Sequence, residues 1–142
     1  MAGELPPWPE ETIKDEDWLY RRLPPIFVKP DGSISDKLFM RNSEANRNKK
    51  EPDPDISVDW DRYATPAQSL EIAGRPAHGI CGLQARFPRD LDLTVVHTPD
   101  RERDNRAHAS IRGNEGPGAK QRCFLLAEEA GKNVLIRPTS PT

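Results

Sequence analysis

The 142-residue chain has few of the residues that build large cores, disulfide scaffolds or zinc sites. Hydrophobic residues make up 35% of it and aromatic residues only 6%, so its core must be small. The two cysteines, Cys81 and Cys123, are too few for a disulfide scaffold. No CxxC pair or Cys/His cluster indicates structural zinc. We therefore expect two thiols, no bound metal and no cofactor.

Long apolar runs are also missing. The first residues, Met1 to Pro7, lack the basic start and apolar stretch of a signal peptide, and no run approaches membrane-spanning length. The formal net charge is −2, so no overall positive charge points to nucleic acid or to a membrane surface. These features predict a cytoplasmic protein without a membrane partner.

Proline and charged residues are abundant instead. Fifteen prolines divide the chain into short elements and exclude a long helical bundle. We expect a small single α+β domain with short strands, two or three short helices and long Pro-rich loops. The predicted boundaries are a flexible acidic, Pro-rich arm over 1–16, the domain over 17–137 with an exposed loop or insertion at 42–55, and a frayed tail over 138–142.

Local signals place most of the elements. Thr65-Pro66-Ala67-Gln68 predicts a capping box, with the helix running to about Ala73 and ending at Gly74. A second helix is predicted over 119–130, because four apolar residues recur on one face at helical spacing. They are Cys123, Leu126, Ala127 and Ala130. The first ordered element is predicted to start at Asp17-Trp18-Leu19-Tyr20, with its type left open. Apolar runs and alternation predict strands near 26–28, 56–60, 79–83, 91–96, 107–111 and 134–136, with a short helix over 36–41.

A glycine loop precedes the second helix and suggests an anion site. Gly113 and Gly118 are spaced like the two glycines of a phosphate loop, but Ala119 occupies the position of the essential lysine. The ligand set of an NTPase is therefore missing. Two interpretations stay open: a tight turn, which we favour, and general anion binding at the helix start. The candidates for the second are Gly116, Gly118, Lys120 and Arg112.

The histidines and two arginines give the second chemical hypothesis. His108-Ala109-Ser110-Ile111 looks like half of the motif of two-histidine phosphoesterases, although the sequence after His97 does not supply the second half. A histidine acting as general acid or base, with an arginine on the phosphate, would cleave a phosphodiester. The weak catalytic candidates are His78, His108, Arg21 and Arg22. The alternative is ordinary packed or surface histidines.

The acidic residues around the strand predicted at 56–60 suggest a site for a divalent metal ion. Asp53, Asp55, Asp59 and Asp61 lack the glycine and terminal glutamate of a calcium loop. We expect them to form a solvated acidic loop. The basic segment 21–50 could face RNA or an acidic protein, but aromatic residues are not interleaved with its charges, which weakens the case for single-strand binding.

The order of several short motifs resembles a group of short bacterial proteins of unassigned function. The resemblance covers about two-thirds of the chain, from Leu19 to Ile111. The resemblance implies no activity. It implies only that five residues belong to the body of the domain: Arg21, Arg22, Asp59, His78 and His108. The motifs are Leu19-Tyr20-Arg21-Arg22, Pro24-Pro25, Asp31-Gly32, Ser33 with Ser35, Phe39, Ser57-Val58-Asp59, His78-Gly79, and Ala107-His108-Ala109 with Ile111.

Two functions follow from these observations. The first is a small accessory or interaction protein that acts through a partner protein chain, because no complete catalytic set is visible in the sequence. The alternative is a small nucleotide- or RNA-acting hydrolase or transferase that uses His78 or His108 with Arg21 and Arg22. The positions of these side chains in the folded protein distinguish the two hypotheses, because an enzyme needs them in one cleft.

Overall fold

A six-stranded antiparallel sheet forms the centre of the structure, a computed structural model that describes residues 6–40 and 55–139. The strand order is β4-β5-β2-β1-β3-β6, and three helices complete a small α+β domain. The strands are β1 Trp18–Leu23, β2 Asp55–Trp60, β3 Gly79–Gln84, β4 Thr94–His97, β5 His108–Arg112 and β6 Val134–Ile136. The helices are α1 Pro66–Ala73, α2 Arg86–Asp90 and α3 Ala119–Gly131, and two 3₁₀ turns cover Pro25–Phe27 and Asp36–Phe39.

The two helices predicted from local signals are present. At the start of α1, the Thr65 hydroxyl accepts a hydrogen bond from the Gln68 amide at 3.2 Å, and the Gln68 side chain accepts one from the Thr65 amide at 2.9 Å. Gly74 ends the helix with a φ of 64°, which costs glycine nothing. Helix α3 continues through Gly131 and is capped by Lys132, so the predicted stop at Gly131 is one residue early.

One face of the sheet carries the core. Paired residues of antiparallel strands point to the same side, and Leu19, Leu23, Val58 and Ile111 all point to this side. The predicted apolar stripe of α3 is buried against it, together with the 3₁₀ turn Asp36–Phe39. Burial of this stripe is what holds a helix of modest intrinsic stability in place.

The sheet opens between its two central strands. β1 pairs with β3 through six residues and β2 pairs with β5 through five, but β1 pairs with β2 only at Leu19↔Trp60 and Tyr20↔Asp59. Beyond these pairs the guanidinium of Arg21 spans the gap. It donates to the Ser57 carbonyl at 2.7 Å and to the Leu38 carbonyl at 2.7 and 3.2 Å. We call this opening the β1–β2 split.

Three predicted elements differ in the structure. The strand predicted at 26–28 is the 3₁₀ turn Pro25–Phe27, because two consecutive prolines fix φ and Pro25 occupies the first position of the turn. The helix predicted at 36–41 is limited to the 3₁₀ turn Asp36–Phe39. The strand predicted at 91–96 begins only at Thr94, since Asp92 has a φ of 64° after α2.

Part of the segment predicted as a flexible arm contacts the domain. Ile13 is 2% exposed, the Glu11 amide donates to His97 Nδ1 at 3.0 Å, and the Glu11 carboxylate accepts from the Tyr63 hydroxyl. Trp8 stacks under the Arg101 guanidinium at 4.2 Å. In the predicted tail, the Thr139 amide donates to the Ala77 carbonyl at 3.0 Å. Of the predicted 42–55 loop, only Asp55 is described, as the first residue of β2; residues 1–5, 41–54 and 140–142 lie outside the described residues.

We expect Gly79→Ala to lower the free energy of unfolding by about 1–3 kcal/mol, as overpacking does in a filled site. A Cβ on Gly79 would lie 2.7 Å from Cδ of Pro138 and closer still to the Ile136 carbonyl oxygen. Gly131→Ala is the matched control, since that Cβ meets open space; removing a helical glycine should stabilise by about 0.5–1 kcal/mol. Urea unfolding measures both, and equal curves for Gly79→Ala and the parent would contradict this packing.

Candidate functional site

The face of the sheet opposite the core is polar. Strand alternation and register place Tyr20, Asp59 and His108 in one row across β1, β2 and β5, with Arg22 two residues further along β1. Helix α1 covers part of this face, and its Ser69 hydroxyl donates to the Asp59 carboxylate. We call this surface the polar face.

A groove of about 760 Å³ runs over the polar face and into the β1–β2 split. Its walls come from the C-terminal end of α1, the 3₁₀ turn Pro25–Phe27 and the loop 100–105. All four catalytic candidates from the sequence line it: Arg21, Arg22, His78 and His108. The structure therefore brings the four candidates into one groove.

His108 is held as a proton acceptor. Its Nδ1 lies 2.9 Å from the Thr98 carbonyl oxygen and 2.9 Å from the Thr98 hydroxyl, which in turn lies 2.9 Å from the Ser110 hydroxyl. A carbonyl oxygen only accepts, so we assign the ring proton to Nδ1. Nε2 of the neutral ring is then the free base, as general base catalysis requires.

Positive charge without a partner lies beside His78. Within the described part of the chain, the side chains of Arg22 and Arg75 make no hydrogen bond or ion pair, and both residues line the groove. Burial, followed by the charges of Arg75 and Arg22, lowers the pKa of His78. The Nδ1 atom of His78 is buried and has no hydrogen-bond partner among the described residues. An anion placed here would meet two guanidinium groups and an unsatisfied ring nitrogen.

Arg21 has a different role from the one predicted. Its guanidinium spans the β1–β2 split and donates to the carbonyl oxygens of Leu38 and Ser57, and it lies 5.9 Å from the Phe39 ring. These bonds direct its donors at the protein backbone. We therefore assign Arg21 to the shape of the groove and Arg22 to its charge.

The carboxylates of the groove are compensated within the protein. Asp55 pairs with Arg112 at 3.1 Å and Asp100 pairs with Arg103 at 3.7 Å. Asp59 is only 2% exposed and accepts from the Asn105 side chain at 2.9 Å as well as from Ser69. The prediction of a solvated acidic loop is therefore wrong for Asp59, because α1 and the loop 100–105 close over it. The charged side chains that line the groove therefore sum to a net positive charge.

The two histidines line the groove from strands that are not neighbours in the sheet. His78 precedes β3 and His108 begins β5, with β1 and β2 between them. Three strand spacings of about 4.8 Å and an offset of four residues at about 3.3 Å separate their Cα atoms by about 20 Å. That distance excludes a mechanism in which both rings act on one phosphate, since acid–base partners need hydrogen-bond reach of the reacting atoms.

The anion-site candidates of the glycine loop lie outside the groove lining. Gly118 caps α3 with a φ of 85°, and the Arg122 guanidinium packs over it, 3.1 Å from the position of a Cβ. Arg122 also donates to the Asn114 side chain at 2.8 Å. Arg112 is paired with Asp55, Lys120 is exposed on α3, and Gly116 has a φ of 73° in the turn. Anion binding at this loop stays a prediction.

Arg75 and Thr98 belong to the site, although no sequence motif marks either residue. Arg75 follows the helix-ending Gly74 and belongs to no motif, so only the packing of α1 on the polar face shows its place in the groove. Thr98 lies just beyond β4, and its hydrogen bond to His108 requires the β4–β5 register. The cysteines add no nucleophile, since both are buried and burial raises the pKa of Cys81 to about 12.

Comparison with known proteins identifies no relative: no family model, no curated protein and no solved structure matches the chain. The resemblance to short bacterial proteins stays a prediction. Across the described residues, no helix combines the length and apolar content needed to cross a bilayer. The same residues contain no group of three or more His, Cys, Asp or Glu side chains placed to hold a metal ion.

Proposed function

We propose that the groove binds a phosphate-bearing nucleotide or RNA and that the protein is a small hydrolase or transferase acting on its phosphodiester. One observation carries the proposal: Arg22, a guanidinium without a partner in the described chain, shares the polar face with His108, whose Nε2 is a free base. Two strand spacings and two residues set a minimum of about 12 Å between their Cα atoms, and the β1–β2 split, which begins beyond Tyr20↔Asp59, adds to this distance. A phosphate bound to both side chains would therefore lie over the split.

In the proposed reaction, His108 Nε2 removes the proton from a hydroxyl as its oxygen attacks phosphorus. A new P–O bond forms to that oxygen, and the bond to the leaving oxygen breaks. Arg22 donates to the non-bridging oxygens and stabilises their increased charge. The protonated ring then returns its proton to the leaving oxygen. Thr98 fixes the tautomer throughout, since its carbonyl holds the proton on Nδ1.

The interaction protein predicted from the sequence remains the second candidate. Its support is the exposure of four large apolar side chains: Ile26, Ile72, Phe124 and Leu135. They do not form one patch. Ile26 and Ile72 line the groove, Phe124 lies on α3, and Leu135 lies near Gly82 on the polar side of the sheet. The cytoplasmic location stays a prediction that two free, buried thiols support.

We expect Arg22→Gln to lower kcat/KM for phosphodiester cleavage by roughly 10- to 100-fold, because it removes a charge-assisted contact of about 1.5–3 kcal/mol to the reacting phosphate. The substrates are fluorescein-labelled oligoribonucleotides and cyclic nucleotides, with cleavage followed by gel and by chromatography. Lys120→Gln removes an equal charge outside the groove and serves as the control. A wild-type protein that cleaves none of these substrates, or an unchanged kcat/KM for Arg22→Gln, would contradict the proposal.

A further inference from the structure

We infer that the ligand is single-stranded RNA running along the polar face, and that Arg75, His78, Ile26 and Ile72 form a second subsite for a neighbouring nucleotide. We call these four residues the distal subsite. This inference rests on the function proposed above, in which Arg22 and His108 act on the scissile phosphate. It adds the length of the substrate, its direction across the sheet and the residues that hold it away from the reaction.

The length of the groove requires more than one nucleotide. His78 and His108 both line the groove, and their Cα atoms lie about 20 Å apart. Stacked nucleotides rise by about 3.4 Å each along a strand, so roughly six of them span this distance, and fewer if the strand is extended. A mononucleotide reaches only one of the two histidines and leaves the other unused.

The distal subsite has the charge that a second phosphate needs. The Arg75 side chain makes no hydrogen bond or ion pair among the described residues, and its positive charge contributes to the lowered pKa of His78. The buried Nδ1 of His78 has no partner there either. In contrast, Asp55 and Asp100 of the groove are already paired with Arg112 and Arg103. A phosphate at the distal subsite therefore gains a charge-assisted contact to the Arg75 guanidinium.

The rim of the distal subsite is apolar. Ile26 is 82% exposed in the 3₁₀ turn Pro25–Phe27 and Ile72 is 40% exposed at the end of α1. Both line the groove. Ile26 and Ile72 offer apolar contact to a base rather than a stacking platform, and the Arg75 guanidinium offers charge to the adjacent phosphate. The position of Ile26 and Ile72 thus gives the base a surface while Arg75 holds the phosphate.

The proposed role of His108 as a base favours RNA over DNA or an acidic peptide as the ligand. The Nε2 atom of His108 needs a hydroxyl to deprotonate, and RNA carries a 2′-hydroxyl beside each of its phosphodiesters. DNA lacks this group. An acidic peptide could pair with Arg22 and Arg75, but it has no phosphodiester for His108 to act on. Attack by the 2′-oxygen forms a cyclic phosphate and releases the 5′-oxygen, which takes the proton from the ring.

Binding as a function of length tests the distal subsite. In a His108→Asn background that prevents turnover, fluorescence anisotropy measures the affinity for fluorescein-labelled oligouridylates of two and eight residues, the eight-residue deoxy strand and a hexaglutamate peptide. We expect the eight-residue RNA to bind at least tenfold more tightly than the two-residue RNA and than the peptide. Arg75→Gln should reduce the affinity for the eight-residue RNA by about tenfold, and most of the gain from length should disappear.

Two further variants make the result independent of folding effects. Ile26→Ser changes a side chain that is 82% exposed, so it tests the rim with little risk to the fold, and it should also weaken the eight-residue RNA selectively. Lys120→Gln is the charge-matched control and should change nothing. Equal affinity for both RNA lengths, equal affinity for DNA, or tighter binding of the peptide overturns the inference.

The outcome also separates this inference from the proposed function. If wild-type protein cleaves the two-residue and eight-residue RNAs with the same kcat/KM, the chemistry stands and the distal subsite is wrong. If the eight-residue RNA binds as expected and Arg75→Gln weakens it, but the wild-type protein cleaves no RNA, the RNA site stands and the proposed catalysis is wrong.

Discussion

Replacing His108 with alanine is expected to lower the rate of phosphodiester cleavage by on the order of 10²–10⁴-fold, the usual contribution of a positioned general base. The ring is the base because Nδ1 is held by the Thr98 carbonyl and Nε2 is left as acceptor. Substrate binding should change much less, since Arg22 and Arg75 supply the charge. Single-turnover rates and anisotropy on the same preparation measure the two effects separately.

Folding must be checked, because His108 lies in β5 next to the centre of the sheet. His108→Asn keeps a polar side chain of similar shape, and equal thermal unfolding of the two variants and the parent excludes a structural cause. If a folded His108→Ala protein retains the full rate, His108 is not the base. The interaction protein would then become the better hypothesis.

Leu126→Ala should lower the free energy of unfolding by roughly 2–5 kcal/mol, as large-to-small changes at filled core sites do. Leu126 is 0% exposed and belongs to the buried stripe of α3, which packs on the 3₁₀ turn Asp36–Phe39 and on β3. For a small domain this is a large part of the total stability. Denaturant unfolding followed by circular dichroism measures it.

Phe124 offers a control in the same helix. It is 49% exposed, so Phe124→Ala should cost less than about 1 kcal/mol. A Leu126→Ala loss below about 0.5 kcal/mol, or a larger loss at Phe124, would place the buried stripe on the wrong side of α3.

The helices were predictable because their signals are local. The capping box at Thr65 needs only residues within one turn, and the stripe from Cys123 to Ala130 needs only the helical period. The strand predicted at 26–28 failed because a β-prone composition was weighed above the two prolines before it. The burial of Asp59 was not predictable, since its partners Ser69 and Asn105 are 10 and 46 residues away.

The site was predictable in its residue types and not in its geometry. The sequence pointed to His78, His108, Arg21 and Arg22, and all four line the groove. The different roles of Arg21 and Arg22 follow from the pairing of β1 with β2. Arg21 donates to backbone carbonyls because β1 leaves β2 after two residue pairs, whereas Arg22 lies on the polar face. Strand register over long sequence separation carries this information, and no local pattern encodes it.

The short contact between β1 and β2 also has a mechanical consequence. The ladders β4-β5-β2 and β1-β3-β6 are two three-stranded units, joined at Leu19↔Trp60 and Tyr20↔Asp59 and tied further along by the Arg21 guanidinium. A hinge at the joined end would widen or narrow the groove without breaking a ladder in either unit. A ligand that contacts both units would fix the distance between them. Amide hydrogen exchange would then slow even in strands that the ligand does not contact.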